Sequence, residues 1–385
     1  MIIIKKFKIF TLFLILLFFN VTLTIGQGTR LLRQPDMNAT HAVFAYGSDI
    51  WVHAFGENAA KRITSTSAVE SNPHLSPDGK WIAFSSNKSG SNAVYVASII
   101  GGDAKRLTWH PNGARVRGWT NDGKSVLYAS SRETAPKPYN RLWTVPVKDG
   151  VPALISKQWG FDGSFSENGK SIVIDKMSRW DGEWRAYRGG QNTPLIILDT
   201  KTSKETLLPH INTTDVQPLW LKDNIYFISD RDLVMNIWSY NTKSKKLSQL
   251  TKFKGSDIKW LSGNKNTLVY ERDGYLHTFN LSTKKSTQLE INIVGDFPWA
   301  ETKFTNVTSE AKVASLSPNG KRAIMESRGE IFTTPLEFGD TRNITQSSGT
   351  ADRAPIWSPK GNKIAWFSDK DRKGYALFTA DQDGM

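Results

Sequence analysis

Ser76-Pro77-Asp78-Gly79-Lys80-Trp81-Ile82-Ala83-Phe84 reads as a tight turn running into a strand. Proline presets φ early in the turn, Asp tolerates the next position, and Gly takes positive φ before β-branched and aromatic residues begin. Relatives of the stretch return about every 45 residues. They stand at Thr120-Asn121-Asp122-Gly123-Lys124, Ser166-Glu167-Asn168-Gly169-Lys170, Ser317-Pro318-Asn319-Gly320-Lys321 and Ser358-Pro359-Lys360-Gly361-Asn362-Lys363. A period of this length is the signature of a repeat architecture.

A second marker carries the same period: Arg62-Ile63-Thr64, Arg106-Leu107-Thr108, Leu154-Ile155-Ser156, Leu207-Leu208, Gln249-Leu250-Thr251, Gln288-Leu289 and Asn343-Ile344-Thr345. With Ile63, Leu107, Leu154, Leu207, Leu250, Leu289 and Ile344 as register points, the gaps are 44, 47, 53, 43, 39 and 55 residues. Between the two markers lies a further strand, read at Asp49–Val52, Ala93–Val96, Arg141–Thr144, Asn236–Ser239, Glu330–Thr333 and Ala376–Thr379. A short strand before the turn completes four strands per unit, the composition of a propeller blade.

Six outer markers fall between Ile63 and Leu289. The expectation is an all-β chain with a six-bladed β-propeller over 31–291, its first inner strand at Leu31-Leu32-Arg33 and its ring closed by face packing without an exchanged strand. Asn292 to Ser309 carries no repeat signal and reads as a linker. Residues 310–385 read as the first blades of a second, incomplete β-propeller, broken off at the turn Asp381-Gln382-Asp383-Gly384.

At the N-terminus, Lys5, Lys6 and Lys8 precede the apolar run Ile9 to Phe19, and the more polar Asn20 to Gly26 leads to Gln27. Residues 1–26 therefore read as a secretory signal peptide cleaved just before Gln27, since the apolar core is short for a membrane anchor. The expected location is periplasmic or secreted, with no stable membrane anchor. No cysteine exists, so packing rather than disulfides must hold the fold. The net charge of +14 falls to +11 without the three signal lysines and is spread over Lys-rich turns. Nucleic-acid binding would need a basic stripe interleaved with stacking aromatics, which is not present. Among the fourteen tryptophans, Trp51, Trp143 and Trp238 share one repeat register with Tyr95, Phe332 and Phe378, which places them between blades. His277 and Ile196 occupy that register as packing variants.

The six histidines show no zinc spacing, and there is no Gly-x-Ser-x-Gly elbow or phosphate-binding glycine loop. No catalytic residue, metal site or cofactor is indicated.

One segment breaks the repeat. Ser178-Arg179-Trp180-Asp181-Gly182-Glu183-Trp184-Arg185-Ala186-Tyr187-Arg188-Gly189-Gly190 resembles the Trp-Arg-x-Tyr-Arg-Gly-Gly element of tricorn-type proteases. The stretch Ala311 to Pro335 is similar to the start of that family's second propeller. The resemblance implies the N-terminal gating region of a self-compartmentalising, homo-oligomeric serine peptidase that degrades oligopeptides or unfolded polypeptide. Its catalytic positions have no counterpart here, and the export signal departs from the family's cytoplasmic members. Arg179, Arg185 and Arg188 could hold a peptide carboxylate through two-pronged guanidinium bonds, or brace the loop against a blade. The Pro-Asp-Gly repeats alone are shared with the TolB family and with amidohydrolase-associated propellers. A non-enzymatic periplasmic interaction propeller of the TolB kind, or a propeller fused to an amidohydrolase, is therefore the alternative.

Overall fold

Two hydrogen-bonding devices, one at each sequence marker, recur along the blades. At the turn, Ser76 Oγ donates to Asp78 (2.6 Å) and accepts the Trp81 amide (3.0 Å), while Asp78 accepts the Lys80 amide (3.1 Å). The same box recurs at Thr120 with Asp122, Ser166 with Asn168, and Ser317 with Asn319. At Ser358 the third position is Lys360, and Asn362 supplies the acceptor instead. Each box joins the first strand of its sheet to the second.

The second device closes the outer edge. Ile63, Leu107, Ile155, Leu208, Leu250, Leu289 and Ile344 each donate their amide to the carbonyl of the residue 13 positions earlier. Where the marker ends in Thr, its hydroxyl also accepts that same earlier residue's amide: Thr64 from Ile50 and Thr251 from Ile237, both at 2.9 Å. These bonds correct two of the register points. In the third and fourth blades the equivalent residues are Ile155 and Leu208, because Leu154 and Leu207 are still the last residues of the outer strands.

A computed structural model of the protein describes residues 28–177, 186–297, 305–347, 349–370 and 374–383. The signal-peptide reading of residues 1–26 lies outside them. Two compact units divide at Gly295/Asp296. In the first, Arg33–Gln288 forms six antiparallel four-stranded sheets, each in sequential order. The first blade is Arg33–Met37, His41–Tyr46, Asp49–Ala54 and Lys61–Arg62, so its inner strand starts two residues after the expected Leu31. Leu31 has φ of 67° and belongs to the chain leading in. The cores lie between blades, where alternate side chains of facing sheets interdigitate. Trp51, Tyr95 and Trp143 are buried there, as their register predicts; Trp238 and His277 are half-buried.

Among the described residues no strand from one end joins the sheet at the other; an isolated parallel bridge links Ala60 of the first blade to Ile293. Met37 and Ala42 of the first blade pack on Val269 of the sixth. Backbone bonds reinforce this seam, from Leu31 to Gly274 (2.6 Å) and from Thr29 to Ile291 (2.8 Å). The buried Glu271 carboxylate takes the Gln34 amide (2.6 Å) and the Arg33 guanidinium (3.0 Å).

The second unit starts with the short 3₁₀ turn Thr308–Glu310, the only helix among the described residues. A four-stranded sheet over Lys312–Asn343 follows, then a three-stranded one over Asp352–Asp381. Ile324, Ile331, Trp357, Ile364 and Trp366 are their common core.

Candidate functional site

In a ring of sequential blades, the connections from strand one to two and from strand three to four lie at one end. We call that end the turn face and the other the loop face. The inner strands enclose a cavity of about 380 Å³, bounded by residues of all six blades. Asn38, Pro77, Asn121 and Lys265, from turns one to two, also line it, so it reaches the turn face.

A distortion of the inner strands brings polar groups to the wall. Arg33–Asp36, Ser71–His74, Val216–Leu219 and Lys259–Ser262 each contain a β-bulge. The second residue of each of these four-residue segments takes the left-handed conformation although none is glycine: Gln34 (φ 55°), Asn72 (52°), Gln217 (53°) and Trp260 (53°). A bulge turns backbone groups out of the ladder, and they must find other partners. Here the neighbouring blade supplies them. Gln34 Oε1 accepts the Asn72 amide (2.7 Å), Asp36 the Leu75 amide (2.7 Å), and Gln217 Oε1 the Leu261 amide (3.1 Å).

Charges gather on the wall at blades two to four. The Arg117 guanidinium lies 4.1 Å from the Phe161 ring centre and its Nε donates to the Phe161 carbonyl (2.8 Å). Burial pushes its pKa down, yet a guanidinium stays charged. Burial also raises Asp162 and, behind the wall, holds Asp175 well above its ordinary value, while Arg117 pulls both back. His74, with Nδ1 3.9 Å from Asp36, is held below its ordinary value by burial. This belt offers donors and acceptors to a guest along the axis.

A different cluster resembles a catalytic set only in composition. Ser229 donates to one Asp215 oxygen (2.5 Å), while His210 (3.1 Å) and Arg231 (2.6 Å) take the other. The serine bonds the carboxylate rather than the imidazole, so no base activates it. This is a brace for the start of the fifth blade.

Of the three arginines singled out in the sequence, Arg179 and Arg185 lie outside the described residues. Arg188 is bound to the fifth blade: Nη1 meets Asp230 Oδ2 at 2.7 Å and Nη2 donates to the Asp230 carbonyl at 2.8 Å. Asn192 adds bonds to the Tyr187 and Asn212 carbonyls. The end of the insertion is thus tied down on the loop face. Sequence reasoning missed Arg117, His74 and Asp162. Arg115-Val116-Arg117 looks like any strand with exposed basic residues, and only ring closure brings Arg117, and not Arg115, to the cavity wall.

Comparison with known proteins agrees with this geometry. Residues 29–285 match the family model described as the tricorn protease N-terminal beta propeller domain. A tricorn protease homolog of Saccharolobus solfataricus is 24% identical over 341 residues, covering 88% of this chain and 31% of its own. Tricorn protease homolog 1 of Streptomyces coelicolor is 26% identical over 349 residues, covering 88% and 32%. The chain thus spans about a third of the length of these relatives. The crystal structure of the tricorn protease superposes with a TM-score of 0.63 at 19% identity, covering 92% of this chain and 44% of that one. By its family match and its fold, the chain belongs to the tricorn protease N-terminal β-propeller family.

Proposed function

We propose that this chain is the gating region of an exported tricorn-like serine peptidase, and that its propeller channel controls the passage of oligopeptides. The observation that carries this reading is the cavity at the centre of the ring, which is bounded by the inner strands of all six blades, carries both polar and apolar groups and reaches the turn face. Extended peptides need backbone partners of this kind, and a cavity of about 380 Å³ is far smaller than a folded domain. In this reading residues 1–26 direct export and are removed, so N-terminal sequencing of the exported protein should begin at or near Gln27.

The chemistry of hydrolysis is assigned to no residue here. Residues 27–385 incubated with fluorogenic oligopeptides should give no turnover, whereas the product of the complete reading frame should hydrolyse them. Turnover by the fragment that persists in independent, contamination-controlled preparations would contradict the gating role. An inactive complete protein would contradict the peptidase assignment.

A further inference from the structure

The six blades agree inside the ring and differ on the turn face. In blades one to three, the turn-face connections are 38–40, 55–60, 76–80, 99–104, 120–124 and 147–152. They hold three lysines, Lys80, Lys124 and Lys148, against five acids. In blades four to six the corresponding connections are 166–170, 200–204, 222–223, 242–246, 264–266 and 281–285. They hold ten lysines against two acids, Glu167 and Asp223.

Lys243, Lys245 and Lys246 tip the outer hairpin of the fifth blade, and Lys284 and Lys285 that of the sixth. Lys201 and Lys204 occupy the same place in the fourth. Lys170, Lys222 and Lys265 stand on the inner turns of those blades, and Lys265 is part of the channel wall. All ten are exposed. Of these ten, Lys243 alone is ion-paired among the described residues, with Asp223 at 2.9 Å. The two rows are tied together, since the hairpins donate backbone bonds to the inner turns: Thr200 to Lys170, Thr242 to Asp223 and Leu281 to Asn266. One side of the cavity mouth is therefore a sector of excess positive charge carried on turns whose backbones are tied together.

Its chemistry selects among anionic partners. These connections contain no arginine and no aromatic residue, so they lack the forks and stacking faces that read nucleic acid. A membrane surface would favour apolar tips beside the lysines. The exposed apolar tips of this face, Phe55, Ile100 and Val151, are all on the other half of the ring. Strongly hydrated ammonium groups on stiff turns suit long-range attraction of carboxylates.

We propose that the lysine sector captures acidic peptide segments and steers them to the channel mouth, so that Asp- and Glu-rich peptides are the preferred guests of this propeller. The inference rests on the reading that peptides use this channel. The test uses the full-length protein and a fluorescein-labelled Glu-rich oligopeptide beside its Gln isostere, followed by anisotropy at about 20 mM and about 200 mM salt. The Glu peptide should bind more tightly, by roughly tenfold or more at the lower salt, and lose most of that advantage at the higher. Combined Lys243→Glu, Lys245→Glu and Lys246→Glu should abolish the preference. Lys80→Glu with Lys124→Glu, on the other half of the ring, should preserve it.

Equal binding of the two peptides, or equal loss in both variants, would overturn the inference. So would lysine-dependent binding to phosphatidylserine-containing vesicles without binding of the Glu peptide. Blocking the channel separates this inference from the reading beneath it. Charge-selective binding without any effect of a block on hydrolysis upholds the sector and rejects the channel; a block that stops hydrolysis without charge-selective binding does the reverse.

Discussion

Blades one to three and blades four to six share one interior and wear different surfaces. The 13-residue bond that fixes the outer strand is present at Leu107 and Val94 in one half and at Leu250 and Ile237 in the other, both at 2.8 Å. Phe84 and Phe227 fill equivalent second strands and are both buried. Yet the turn face carries more acids than lysines on the first side and a lysine excess on the second. Positions that touch another blade are constrained by packing, whereas hairpin tips are bound only by the need to turn. Partner choice can therefore change on this face without disturbing the ring.

If the interiors are equivalent, Phe84→Ala and Phe227→Ala should destabilise the propeller alike, each by about 3–5 kcal/mol. Urea unfolding monitored by tryptophan fluorescence would show this. A half that tolerates its substitution would break the equivalence.

A smaller effect belongs to the seam where the halves meet. Burial raises Glu271 to about 7, against the opposing pull of the Gln34 amide and Arg33. Its folded pKa lies above the unfolded value, so the folded state holds a proton that the unfolded chain releases once pH exceeds about 4.5. Stability from this group is thus fully present below that pH and declines as pH rises through about 7. The loss should be on the order of 2–3 kcal/mol. Comparing urea midpoints at acidic and mildly alkaline pH, Glu271→Gln should remove this part of the decline. An unchanged pH profile would mean that the seam does not protonate.

Next come the threonines of the outer marker. Thr64→Val and Thr251→Val each leave a buried strand amide without its hydroxyl partner and should cost about 1–3 kcal/mol in either half. Loss in only one half would show that the marker is not one device.

The smallest effect concerns the turns. Gly169 has φ of 67° and nothing within 4 Å of an added Cβ, so Gly169→Ala should cost only about 1 kcal/mol. Gly79 has φ of 71°, and there a Cβ would come within 2.8 Å of Asn38 Nδ2. Gly79→Ala should therefore lose more, and equal losses would show that Asn38 moves aside freely.

Much of the fold was legible because repeated turns and edge markers act locally. Ser76 with Asp78, and Thr64 with Ile50, make their bonds within a single blade. Register slipped at Leu154 and Leu207 because Leu154-Ile155 and Leu207-Leu208 pair two apolar residues, and only the carbonyl partner tells them apart. The channel was far less legible. Gln34 and Trp260 adopt positive φ without being glycine, so no local preference announces the bulges. Arg117 and Asp162 belong to different blades and come within electrostatic reach only when the ring forms.

The absence of cysteine makes a direct test of the gating role possible. A single Lys265→Cys on the channel wall of the complete protein can take a bulky label through a disulfide and release it on reduction. Oligopeptide hydrolysis by this variant should fall steeply on labelling and recover on reduction to the unlabelled variant's own level. Hydrolysis that is unchanged with the label in place would contradict passage of peptides through this propeller.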